Sequence, residues 1–94
     1  MEDDEAVRVP IEDAIDLHSF APRDVVSVVE DYLEAAAAAG FTEVRLIHGR
    51  GKGVQRADIQ RRLRGHPLVE QFWDAPESHL GATIVRLRRG DANT

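Results

Sequence analysis

The sequence predicts an α/β domain, an α+β sandwich in which a mixed four-stranded sheet packs with two helices in the order β-α-β-α-β-β. Three observations carry this prediction. Two short apolar-polar runs, Ile15–His18 and Glu43–His48, bracket an alanine-rich amphipathic helix. A second helical pattern from Val54 to Arg64 comes after a glycine loop and is closed by Gly65 and Pro67. Residues 68–74 and 82–88 then read as two strands joined by a short polar loop, hence an antiparallel pair. At 94 residues the chain is long enough for one domain with a small core.

Residues 1–6 are mostly acidic and read as a disordered tail; the domain is predicted over 7–89, and 90–94 carry no signal. Val7 to Ile11 alternate, but Pro10 makes this an edge or a lead-in. In the first strand Ile15 and Leu17 face one way, Asp16 and His18 the other. Ser19 to Ala21 turn the chain. Pro22 suits a first helical position, and Asp24 complements the dipole of the first turn. Val25, Val29, Leu33 and Ala36 form an apolar stripe widened by Val26 and Tyr32. Gly40 is a natural residue to end the helix, with Phe41 packing back on its last turn.

A strand at 43–48 after this helix makes a βαβ unit, so the first two strands run parallel with a right-handed crossover. The second helix buries Ile59 and Leu63 and turns Arg56, Arg61, Arg62 and Arg64 toward solvent or a ligand. In the third strand Val69, Phe72 and Trp73 are apolar, and Trp73 reads as core. In the last, Thr83, Val85 and Leu87 share one face, and Ile84, Arg86 and Arg88 the other. The order of strands within the sheet is not encoded in any local pattern.

Charge is distributed unevenly. The net charge is −5, yet residues 1–43 hold twelve acidic residues against Arg8 and Arg23, whereas residues 44–94 hold ten basic and five acidic ones. Between Arg45 and Arg64 there are seven basic residues and the single acid Asp58. The overall balance argues against indiscriminate polyanion binding; the local balance suits one face that meets a polyanion, or else a solvated arginine-rich helix. The absence of cysteine excludes disulfides and thiolate metal sites. No cationic start followed by an apolar run and no membrane-length apolar stretch is present, so the chain reads as soluble and cytoplasmic; a monomer that meets no membrane is the expectation.

The stretch from Val44 to Gly53 concentrates the chemistry. A buried strand runs into His48, then Gly49, Gly51 and Gly53 alternate with Arg50 and Lys52, and a helix begins. Glycines permit close backbone approach, and the free N–H groups and positive end of a helix attract anions. The loop is not a Walker motif, because no GK[ST] closes it, and it is a poor dinucleotide fingerprint. Ligands of open α/β sheets bind beyond the carboxyl ends of parallel strands. His18 and His48 end the first two predicted strands, and Asp16 precedes His18 by two residues on the same face. If those strands are neighbours, all three side chains meet the loop at one edge. Their spacing belongs to no compact metal motif. Ser19 beside His18 does not make a nucleophile triad. His66 and His79 fall in connecting segments and read as surface residues.

Ile15-Asp16-Leu17-His18 and His48-Gly49-Arg50-Gly51-Lys52-Gly53, with Val54-Gln55-Arg56 after them, resemble the paired signatures of the Smr (small MutS-related) domain. Those are an LDLH motif on the first strand and an HGxGxG loop before the second helix. The resemblance covers residues 7–89 and is to a stand-alone member rather than the tail of a longer protein. It implies a nucleic-acid-binding β-α-β-α-β-β domain in a family that includes nicking endonucleases of DNA or RNA, and members that act at ribosomes. Two departures stand out: Ser19 where many members carry Gly, which alters the loop beside the site, and His79-Leu80-Gly81 where many carry a double glycine, which changes access.

On this resemblance Gly49, Arg50, Gly51, Lys52, Gly53 and Arg56 would hold phosphate. His18 or His48 would act as general base or acid, since imidazole titrates near neutral pH. Asp16 would orient a histidine or assist a divalent ion such as Mg²⁺ or Mn²⁺. The alternative is a non-catalytic module for nucleic acid or ribosomes, in which Arg50, Lys52, Arg56, Arg61 and Arg62 make salt-sensitive phosphate contacts. A third reading is a protein-interaction module that uses the acidic half.

Overall fold

The structure, a computed structural model, describes residues 11–49, 54–79 and 81–88. The predicted tails at 1–6 and 90–94, the lead-in at 7–10 and loop residues 50–53 lie outside the described residues. The order is β1 (Ala14–Asp16), α1 (Val25–Ala38), β2 (Glu43–Ile47), α2 (Val54–Leu63), β3 (Val69–Asp74) and β4 (Ala82–Leu87). They form one mixed four-stranded sheet in the order β1-β2-β4-β3. β1 and β2 are parallel, and β4 runs antiparallel to both β2 and β3. The predicted fold class is therefore observed.

Both helices lie on one face. α1 buries Val25, Val29, Tyr32, Leu33 and Ala36, and α2 contributes Ile59 and Leu63. These meet Val44 and Leu46 of β2 and Val85 and Leu87 of β4 in one core. β2 and β4 are central and carry their buried side chains on the helix side at alternate positions. The opposite face carries Ile47, Ile84 and Trp73, half-buried rather than core. There Arg86 stands over the Trp73 ring at 5.4 Å and Arg45 pairs with Glu77.

Capping explains the ends of α1. Pro22 opens a 3₁₀ turn, Pro22–Asp24, that leads into it. At its C-terminus Gly40 takes φ +90°, its N–H reaches Ala37 O at 3.1 Å, and the N–H of Phe41 reaches Ala36 O at 3.0 Å. This is a Schellman closure, and it turns Phe41 back onto the core. Gly65, with φ +78°, turns the chain two residues past the end of α2.

Four expectations need correction. The first strand stops at Asp16, and Leu17–Ser19 form a 3₁₀ turn. The cause is Asp16 itself: its Oδ1 accepts the His18 N–H at 2.9 Å and draws that amide out of the ladder. The third strand begins at Val69, with an irregularity between Val69 and Gln71. His66 is not a surface residue. Its side chain is 9% exposed, its Nε2 donates to Glu30 at 2.7 Å, and its Nδ1 accepts the Leu68 N–H at 3.0 Å. Trp73 lies outside the core, because its strand partner Ile84 points to the face away from the helices.

Candidate functional site

The parallel pairing of β1 with β2 places Asp16 opposite Ile47, so the chain leaves both strands at the same edge of the sheet. β1 runs into the 3₁₀ turn that carries His18, and β2 runs into His48 and Gly49. The side chains of Asp16 and His18 are each about three-fifths exposed and bonded to one another, His18 Nδ1 donating to Asp16 Oδ1 at 2.8 Å. Asp16 thus bonds both the backbone and the ring of His18. Those two donors, the backbone N–H foremost, hold its carboxyl below the usual carboxylate range.

Gly49 is where the two motifs touch. It takes φ +82°, and a methyl group built on it would collide with Nε2 of His18. The imidazole therefore lies against the Gly49 backbone, a contact only glycine permits. The Gly49 N–H donates to Gly81 O at 2.8 Å, as does the His48 N–H at 3.1 Å. Gly49 therefore contributes its smallness and not a free amide.

His48 differs from His18 in burial and in partners. It is 4% exposed. Its Nδ1 lies 2.9 Å from Gly49 O and its Nε2 2.9 Å from Thr83 Oγ1. Burial lowers its pKa from the ordinary imidazole value, and Arg56 and His18 push the same way; the Gly49 carbonyl and Asp74 oppose. Behind it lies a connected set of polar side chains. Gln60 Nε2 donates to Thr83 Oγ1 at 3.1 Å and to Asp74 Oδ1 at 3.0 Å. Arg56 donates from Nε to Asp74 Oδ1 and from Nη2 to Asp74 Oδ2, both at 2.7 Å. This bidentate pair, with help from Gln60, lowers the Asp74 pKa.

The expected site residues thus separate. Asp16, His18, His48 and Gly49 converge. Arg56 does not project freely toward a ligand, since two of its nitrogens engage Asp74. Arg50, Gly51, Lys52 and Gly53 lie outside the described residues. Arg61 pairs with Asp58 and Arg62 with Glu30. Among the described residues no three His, Asp or Glu side chains are grouped to hold a metal ion, and no helix is long and apolar enough to cross a membrane.

Sequence reading missed Gln60, Asp74 and Thr83. One signal was there. Alternation put Thr83 on the inward face with Val85 and Leu87, and a buried hydroxyl needs a partner. Arg56 and Gln60 are also four apart on one helix face. What no local pattern supplied was Asp74, brought beside them by the pairing of β3 with β4.

Fold and site together define a small two-layer α/β domain whose Asp-x-His turn and His-Gly loop meet at one sheet edge. The Smr domain family model matches residues 15–88, and the chain belongs to that family. It is 40% identical over 77 residues to the endonuclease MutS2 of Caldicellulosiruptor saccharolyticus and 41% identical over 75 residues to that of Pelotomaculum thermopropionicum. These matches cover 80% and 78% of this chain, which spans about a tenth of the length of either relative. The crystal structure of the Smr domain of Thermus thermophilus MutS2 aligns with a TM-score of 0.77 at 37% identity, over 82% of this chain and 99% of that one. YdaL, a stand-alone small MutS-related protein from Escherichia coli, aligns at 0.74 over 89% of this chain and 70% of its own; at 24% identity it shows the shared fold.

Proposed function

We propose that this domain binds nucleic acid at the edge formed by Asp16, His18 and the glycine loop, and that it nicks the bound strand there. The observation that carries the reading is the Asp16–His18 pair, an exposed imidazole held by a carboxylate against the first glycine of a cationic loop. The endonuclease names of the MutS2 relatives support it.

In this reading Arg50, Lys52 and the backbone of Gly51 and Gly53 hold a backbone phosphate, and Gly49 admits the imidazole. Asp16 accepts the Nδ1 proton of His18, which leaves Nε2 to transfer a proton. Water attacks phosphorus and the bond to one bridging oxygen breaks; His18 Nε2 takes the proton of the water while solvent protonates the leaving oxygen, or, having first taken a proton from solvent, supplies it to the leaving oxygen while solvent takes the proton of the water. Asp16 is also the exposed carboxylate that would meet a divalent ion. His48, buried and doubly bonded, acts from behind, and Arg56 braces α2 through Asp74.

The test is a cleavage panel of DNA and RNA with and without Mg²⁺ or Mn²⁺. His18→Ala lowers the nicking rate by about 100-fold or more. Undiminished nicking by a folded His18→Ala protein overturns the assignment. One observation favours a second reading, a non-catalytic binding module for nucleic acid or ribosomes. Acid-base cleavage ordinarily uses two groups, and His48 is 4% exposed. Salt-sensitive binding without turnover on every substrate and metal selects that module.

A further inference from the structure

We infer that Thr83, Gln60 and Asp74 are positioning residues that hold His48 as the neutral Nδ1–H tautomer, so that His48 clamps the Gly49 peptide beneath His18. The functional half of this inference rests on the nucleic-acid reading above; the tautomer half stands without it.

The direction of each hydrogen bond fixes the tautomer. Gly49 O can only accept, so the proton shared with His48 sits on Nδ1. A neutral ring then presents a bare Nε2, and Thr83 Oγ1 must donate to it. That uses the one hydroxyl proton, so Thr83 Oγ1 is left to accept, and Gln60 Nε2 donates to it. The same amide nitrogen gives its other proton to Asp74. The carboxylate fixes the amide orientation, because a flipped Gln60 would set its oxygen against Asp74. Arg56, bidentate on Asp74, keeps that carboxylate ionised and in place. One donor each from Gln60, Thr83 and His48 therefore forms a chain that runs toward Gly49. Protonating His48 at Nε2 would turn the Thr83 hydroxyl proton away from the ring and cost it the acceptor it has there.

The result bears on the exposed dyad. Gly49 is held on both sides, by Gly81 O on its N–H and by His48 on its carbonyl. The ring of His18 lies against that fixed peptide. His48 thus sets the surface on which His18 rests, without offering a proton to substrate.

The test uses the whole chain, with long-range ¹H–¹⁵N correlation of the histidine rings at pH 7.5 and binding of a fluorescent oligonucleotide. Wild type shows His48 with a protonated Nδ1 and a bare Nε2. Thr83→Val, which keeps the shape and removes the hydroxyl, leaves Nε2 without its donor, shifts the Nε2 resonance and weakens oligonucleotide binding by about tenfold. Thr83→Ser restores both. An Nε2–H or charged His48 in wild type overturns the inference with no variant needed. So does a Thr83→Val protein with an unchanged Nε2 resonance and unchanged affinity. Wild type that keeps the tautomer but binds no oligonucleotide at low salt overturns the nucleic-acid reading and leaves the tautomer lock standing.

Discussion

At position 49 stability and function come apart. Gly40 and Gly49 have similar positive φ, +90° and +82°, so alanine strains the backbone at both. Space differs: nothing lies near a methyl on Gly40, while one on Gly49 meets the His18 ring. That ring is largely exposed and swings aside at little cost in stability. Each substitution therefore costs about 1 kcal/mol in urea denaturation. Gly49→Ala alone displaces His18 and lowers nicking by about 10-fold to 100-fold.

His48 makes the second residue-scale prediction. Its folded pKa lies below the ordinary 6.5, so the unfolded chain takes up the proton first. The stability from keeping His48 neutral is fully present above pH 6.5 and is lost as pH falls through the lowered folded value. Asp74 and the Gly49 carbonyl favour the charged ring, and Arg56 and His18 oppose it. The urea midpoint falls as pH drops from about 7.5 to about 5.5, and His48→Asn removes this part of the slope. An identical slope in wild type and His48→Asn refutes it.

At the scale of elements, α2 has the narrowest hold on the sheet. Ile59 and Leu63 are its fully buried side chains among the described residues, and its other large attachment is Arg56 with Gln60 on Asp74. Ile59→Ala is expected to cost about 2–4 kcal/mol in denaturant unfolding. Asp74→Asn costs less, about 1 kcal/mol, because that pair is about a third exposed and solvent screens it. An amide oxygen at the Oδ1 position still accepts from Gln60 and from Arg56 Nε, so Asp74→Asn breaks the Arg56 Nη2 bond and leaves the His48 tautomer in place. β1 is the opposite case. Three paired residues make a weak strand, and it is held by fully buried Leu17 and by the Tyr32 hydroxyl donating to Glu12 O at 2.5 Å. The desolvated phenol has its pKa raised to about 12, so that bond survives to alkaline pH.

Across the whole molecule, charge is divided between the helices and the strand edge. Arg45, Arg56, Arg61 and Arg62 each engage a carboxylate, from Glu77, Asp74, Asp58 and Glu30. Much of the cationic appearance of the sequence between Arg45 and Arg64 is therefore neutralised inside the fold. This bears on salt dependence. Lys52→Ala is expected to reduce the slope of log affinity against log salt by about 1, as for one phosphate contact. Arg56→Ala weakens binding through the loop with a smaller change in slope, because Asp74 already balances its charge. Equal slopes for the two variants would show that Arg56 meets phosphate directly.

The elements were legible in the sequence because their signals are local. The apolar stripe of α1, the Gly40 closure, the inward Thr83-Val85-Leu87 face and the βαβ order each depend on neighbours a few positions apart. The paired motifs also specified the family and the edge where Asp16, His18 and the loop meet. Tertiary structure alone decided which histidine faces water. His18 and His48 look alike as strand-end imidazoles, but His48 runs on from central β2 beneath α2 and beside Thr83. His18 lies in the turn that Asp16 draws out of edge strand β1. The Thr83 hydroxyl that meets the His48 ring comes from 35 positions away in the chain, and that distance is closed only by the β1-β2-β4-β3 sheet.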